Sequence, residues 1–405
     1  MKFTILFLII SSFHLLLPQS KEYKSKYIKD RISEQRRAIL YLSGFAFSVD
    51  EVKKNRKKLL NEIETLRVNQ MITPEVLVLF QNIFENHKSL PQDLVILALE
   101  SIYRINHVQF SKSLETVFME TLNKKVLLLS YLNLKKYKNL DKKFDDKISK
   151  YNDEKIQTIL DYLNTPHKKA LPPLEPLLAF KNSPEDFIFY SFHPSDTLEP
   201  GYLIIKGKDG KFLREKDGKL FVIKQLARSV LELPSLMEMG DTPGGLYSLG
   251  KIIVSSNPKI GPVPAIKLSL PHEVSPAAFF HLPKEIPWTK EIYSSFLPQE
   301  WKEYPSLWES YFAGYIGRSG IWMHGSTLDP EAFSDYLKVK ITPTYGCLSS
   351  REEWSEEGRL LLSDQRRLIE KLPETLGGFA FVIRIPSREL PDLERIEKII
   401  LELER

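Results

Sequence analysis

Apolar residues recur every three to four positions over residues 21–165, and the spacing shortens to two beyond residue 186. The first spacing predicts amphipathic helices and the second predicts strands. In the first part, TPEVLVLFQNIFENH opens with Thr73 as N-cap and Pro74 at the first helical position, where a missing N–H costs nothing. SLPQDLVILALESIYRI pairs Ser89 with Gln92 as a capping box, and Leu94, Ala98, Ile102 and Ile105 follow at helical spacing. SLETVFMETLNKKVLLLSYL and DEKIQTILDYL predict further helices. The expected N-terminal half is a short array of antiparallel helix pairs without a clean sequence repeat.

Residues 166–186 are dense in proline, which cannot continue a helix and stiffens a connection, so the domain boundary is expected there. Beyond it FIFYSF and YLIIK read as strands rich in aromatic and branched side chains. Asp209-Gly210 and Asp217-Gly218 are hairpin-turn signals, with KFLR between them and KLFVI after. GKIIVSS, AIKLSL and GGFAFVIRI add strand candidates, and SDQRRLIEKL adds a helix. Residues 391–405 predict a closing helix, with Pro391 near its start and Ile396, Ile399, Ile400 and Leu403 on one face. The expected fold is an α-helical N-terminal domain over 21–165, then a mainly β domain of α+β class over 187–390.

Composition sharpens this only a little. Of 405 residues, 42% are hydrophobic and 27% charged, a globular composition in a chain too long for one ordinary core. A net charge of +5 is mild. It suits an anionic polymer or membrane surface but lacks the dense Lys/Arg clustering of a nucleic-acid binder. The basic runs from Lys53 to Lys58 and from Lys135 to Lys143 read as solvated faces. Residues 1–20 look like an export signal. Lys2 precedes an apolar run from Phe3 to Leu17 that is of signal-peptide length and short for a membrane span. An uncleaved anchor is the alternative, and both readings send the rest of the chain to the periplasm or cell envelope.

Export makes the single cysteine conspicuous. Cys347 has no intrachain partner in a compartment that oxidises thiols. It is either a small buried apolar residue or a retained nucleophile. A nucleophile needs a base, and His324 is the only histidine that follows a strand-like stretch, GIWM, and precedes a glycine. His87, His107, His167, His193, His272 and His281 lack that setting. Gly346, directly before the thiol, permits a sharp turn that aims consecutive N–H groups at one oxygen.

HGS at 324–326 and TYGCLSS at 344–350 resemble the bacterial L,D-transpeptidase (YkuD-like) catalytic domain. GDTPGGLYSLGKI at 240–252 resembles that family's upstream Thr-Pro-x-Gly segment, and LGGFAFVIRI at 376–385 its closing strand. The pieces occur in the family's order and span roughly residues 186–390; the helical half lies outside the resemblance. The resemblance implies a mainly β domain that acts on peptidoglycan stem peptides without metal or cofactor. Its cysteine displaces the terminal D-alanine of a tetrapeptide stem and passes the acyl group to an amine or to water. Family members also accept carbapenems as acylating analogues. By position, Cys347 is the nucleophile, His324 the base, and the Gly325 carbonyl the group that orients the imidazole. The N–H of Cys347 and that of Gly346 or Tyr345 would form the oxyanion hole, and Thr344 takes the Ser/Thr place. With His324 as base, activity is expected to fall as pH drops through histidine's ordinary range, between about 8 and 5.

The chain departs from the family at two places. Tyr345 stands where a second histidine is usual, and Ser349 where arginine or asparagine is usual, with Arg351 two residues on as a substitute charge. These changes keep a second reading open. In it, a catalytically degenerate envelope protein binds cell wall, and the helical half takes a protein partner. All five tryptophans fall between Trp288 and Trp354. They suit either sugar and peptide recognition or, the preferred reading, the core of an insertion.

Overall fold

The computed structural model describes residues 22–405 apart from 106–107, 138–139, 141, 166–168, 182–185, 196–197, 335–336 and 338. The export signal expected over residues 1–20, His107 and His167 lie outside the described residues. No helix among the described residues is long and apolar enough to cross a membrane.

The N-terminal part is helical: α1 (Tyr27–Ser43), α2 (Val49–Lys54), α3 (Arg56–Val68), α4 (Pro74–Glu85), α5 (Gln92–Ile105), α6 (Ser111–Glu120), α7 (Lys124–Tyr137), α8 (Lys142–Ser149) and α9 (Glu154–Asn164). Contacts run α1–α3–α5–α7 along one row and α4–α6 along another, so the helices stack in two layers. Helix α4 starts at Pro74 with Thr73 extended at the N-cap, although the threonine side chain makes no cap bond. The Ser89–Gln92 capping box does not form. Helix α5 begins at Gln92, because Pro91 disfavours helical backbone at Leu90, and the Gln92 amide turns to the carbonyls of His87 and Leu90. The long apolar run at 113–132 breaks where Asn123 Oδ1 accepts from the N–H groups of Lys125 and Val126 and opens α7.

The proline-dense stretch is more than a connection. Pro173 leads into α10 (Leu174–Ala179), whose Leu174, Leu177 and Leu178 are fully buried against the second half. That half contains β1 (Phe187–Pro194), β2 (Gly201–Lys206), β3 (Ile223–Leu226), β4 (Gly245–Ile253), β5 (Ala265–Ser269), α11 (Pro276–Phe280), α12 (Lys290–Ser295), α13 (Glu309–Tyr315), β6 (Ile321–His324), β7 (Leu348–Ser350), β8 (Glu352–Trp354), β9 (Leu360–Ser363), α14 (Asp364–Glu370), β10 (Gly378–Ile385) and α15 (Leu393–Leu403). Eight strands close a barrel in the order β1-β10-β4-β5-β6-β7-β3-β2, with β8 and β9 as a separate ribbon. Pairing is antiparallel except for β1–β10 and β6–β7, which are parallel. Closure leaves the barrel itself without a free sheet edge.

Alternation sorts the strand residues into two cores. Phe189, Leu203, Ile223, Tyr247, Ile266, Met323, Leu348 and Val382 fill the barrel interior. Tyr190, Ile204, Leu246, Phe381 and Ile383 face outward beneath α10, α15 and the aromatic stretch. Trp301, Tyr293 and Tyr311 are buried there too, so the aromatic stretch does not build a core of its own. It covers an outer wall of the barrel, and Trp301 Nε1 donates to the Pro173 carbonyl (2.8 Å). A third core joins the halves. The helices pack on Leu226, Val230, Leu233 and Leu236 and on Leu328, Phe333, Leu337 and Ile341, the latter four within the segment between His324 and Cys347.

Candidate active site

His324 ends β6 and Cys347 immediately precedes β7, and these two strands run parallel with His324 opposite Ser349 and Met323 opposite Leu348. Met323 and Leu348 point into the barrel. Alternation therefore turns Trp322, His324, Cys347 and Ser349 to its outer face. The parallel pairing requires a long crossover, which is the segment 325–346.

His324 is buried, and its Nδ1 donates to the Gly325 carbonyl. That bond fixes the tautomer and leaves Nε2 with the lone pair. Burial pulls the imidazole down to about 4, against a smaller upward push from the Gly325 carbonyl, so it is a neutral base across the physiological range. The acid limb expected between about pH 8 and 5 is thereby moved below that window.

The half-buried Cys347 thiol accepts from the Trp322 N–H (3.4 Å) and faces the Gly320 carbonyl (3.7 Å). Burial pushes it up to about 11; the Trp322 N–H and the Arg318 charge pull the other way. Both groups are therefore uncharged at neutral pH.

The loop before the thiol is tightly held. Thr344 Oγ1 donates to the Cys347 carbonyl (2.8 Å) and accepts from the Gly346 N–H (3.1 Å). The Gly346 N–H is thus already engaged. Gly346 has φ +102°, which favours glycine, and a Cβ there would collide with the Arg318 guanidinium and the Gly240 carbonyl. Thr242, in the TPGG segment, donates from Oγ1 to the Cys347 carbonyl at 3.4 Å. Ser349 is buried and donates to the Thr342 carbonyl (2.6 Å). Arg351 is ion-paired with Glu353, two residues along. Tyr345 reaches the helical half, where its hydroxyl donates to Glu64 Oε1 (2.5 Å) and the Arg67 guanidinium lies over its ring at 5.2 Å.

Two residues enter the site that the sequence motifs do not name. The Glu352 carboxyl fills the space that a side chain at Gly325 would need, accepts from Ser363 Oγ (2.8 Å), and is driven up to about 8 by burial. Arg318 lies in GYIGRSG, between the left-handed turns at Gly317 and Gly320, and its guanidinium rests on the Gly346 backbone. An arginine set between two glycines ahead of an apolar strand was the one available hint. No protein-family model, curated protein or solved structure matches the chain.

Proposed function

We propose that this protein is a secreted, L,D-transpeptidase-like cysteine acyltransferase that acts on peptidoglycan stem peptides. The observation that carries the reading is the Nδ1 bond from His324 to the Gly325 carbonyl. It leaves a neutral Nε2 base at the end of β6, the strand that pairs in parallel with the one Cys347 precedes. The order of the four motif pieces adds to it, as does the contact of Thr242 with Cys347.

In this reading the Cys347 sulfur turns from the Gly320 carbonyl toward Nε2 and attacks the carbonyl of the stem residue that precedes the terminal D-alanine. The thiol proton passes to Nε2 as the S–C bond forms. The N–H groups of Cys347 and Tyr345 receive the oxyanion, since that of Gly346 is bonded to Thr344. The intermediate collapses with the peptide C–N bond breaking, and the imidazolium returns its proton to the departing D-alanine amine. An amine or water then attacks the thioester, loses a proton to Nε2 and releases the sulfur.

A purified tetrapeptide muropeptide tests this, with loss of D-alanine followed by mass. The expected result is turnover by the wild type and none by Cys347→Ala or His324→Ala. One observation favours the second reading, of a wall-binding protein without turnover: the thiol bonds to backbone at Gly320 and Trp322. That reading predicts binding of the muropeptide with no mass change in any variant.

A further inference from the structure

Arg318 is 5% exposed, yet among the described residues no carboxylate hydrogen-bonds it. Its Nη1 donates to the carbonyls of Ser235 and Asp241 (2.8 Å to the latter), and its Nη2 to that of Gly240 (2.8 Å). The acidic groups nearest it are committed elsewhere. Asp241 binds Arg228 (2.8 Å), the Ser229 N–H (2.8 Å) and Arg384 (3.4 Å). Glu309 accepts from the Gly244 N–H (2.9 Å) and the Tyr162 hydroxyl (2.5 Å) and lies 3.6 Å from Arg384. Tyr247 faces it as a neutral phenol, held far above its usual range by burial. Three guanidinium groups thus meet two carboxylates in this cluster, and one positive charge is in excess. A guanidinium cannot shed its proton to relieve that excess, and a buried charge without an anionic partner is costly to keep. The guanidinium reaches the Gly346–Cys347 corner, where the missing Cβ lets it approach the backbone beside the sulfur.

We propose that Arg318 is the counter-charge of the Cys347 thiolate, placed there by the absence of a side chain at Gly346. The inference rests on the reading of Cys347 as a nucleophile, and it adds the residue that makes the sulfur anion accessible in a half-buried setting. Arg318 acts on the sulfur through space and touches no substrate. Other charged and titratable groups on the elements around the thiol are His324 on β6, Glu273, whose Oε1 accepts from the Gly320 N–H (3.3 Å), and Lys267 on β5, whose Nζ lies 5.6 Å from the Trp322 ring. Lys267 is the cation among them, and its contact is with the indole ring.

Cys347 is the only cysteine, so alkylation of the whole protein reads this one sulfur. Iodoacetamide labelling followed by intact mass between pH 8 and 10 measures its thiolate fraction. Arg318→Gln is expected to slow labelling about ten-fold at each pH, the effect of one unit of thiol pKa, while Arg318→Lys stays within about three-fold of wild type. A folded Arg318→Gln protein that labels at the wild-type rate would overturn the proposal. A second measurement needs no variant. Anionic iodoacetate relative to neutral iodoacetamide should react at least about three-fold faster on the folded wild type than on the urea-unfolded chain, because a fixed cation draws the anionic reagent. A ratio no higher than that of the unfolded chain sinks the proposal even if Arg318→Gln fails to fold. Neither assay uses a stem peptide. Absent acyl transfer would defeat the proposed function and leave this result standing, whereas wild-type labelling in an active Arg318→Gln defeats the counter-charge alone.

Discussion

Gly325 has two roles: its carbonyl holds Nδ1 of His324, and the side chain it lacks leaves room for the Glu352 carboxyl. The titrations of these two neighbours have opposite consequences. His324 falls to about 4 in the folded chain, so as pH drops from its ordinary 6.5 the unfolded chain takes up the proton first and stability declines down to about 4. The same proton removes the base. We therefore expect a profile of kcat/KM for acylation that is level from pH 5 to 8 and falls through about 4; an acid limb centred near 6.5 contradicts this assignment of His324. Glu352 rises to about 8, so its contribution is fully present below 4.5 and is lost as pH climbs through 8. Glu352→Gln should melt higher than wild type at pH 9 and close to it at pH 4.5, and equal melting temperatures at pH 9 would show the carboxyl to be neutralised some other way. Cys347, His324 and Gly325 are legible in the sequence because adjacent residues carry their relation. Arg318 and Glu352 are not, because the fold alone sets them against Gly346 and Gly325 from elsewhere in the chain.

Among the elements, those whose period is local are readable and those whose pairing is long-range are not. Strands β1, β2, β5 and β10 follow from branched and aromatic runs, and the turns at Gly210 and Gly218 from Asp-Gly, with φ +79° and +86°. Neither the parallel β6–β7 pairing nor the closure of the barrel is written in any short stretch. Pro91 overrides a capping box that side-chain identity alone supports, because a proline constrains the residue before it. In the proline-rich stretch the opposite holds, since Leu174, Leu177 and Leu178 sit at helical spacing and bury a full face. Leu177→Ala is accordingly expected to cost about 2–5 kcal/mol in chemical denaturation, the range for emptying a packed leucine site. A loss under about 0.5 kcal/mol would mean that α10 is not anchored to the barrel as described.

For the whole molecule, the helical half is joined to the crossover that links His324 to Cys347 through a shared core that includes Leu328, Phe333, Leu337 and Ile341. Tyr345, two residues before the thiol, is tied to Glu64, and Arg67 is ion-paired with both Glu64 and the buried Glu100. A position where the resembled family uses histidine therefore has a structural employment here, which sequence reading of the β half alone has no means to detect. Tyr345→Phe should lower stability by about 1.5–3 kcal/mol, the size of a hydrogen bond to a charged acceptor, and an unchanged urea midpoint would show the contact to be dispensable. The proposed function makes Cys347 the acyl-accepting nucleophile. Its most direct test is the intact mass of the whole protein after incubation with a carbapenem. One covalent adduct is expected on the wild type and none on Cys347→Ala or His324→Ala. An unmodified wild type, or an adduct that persists in Cys347→Ala, would contradict it.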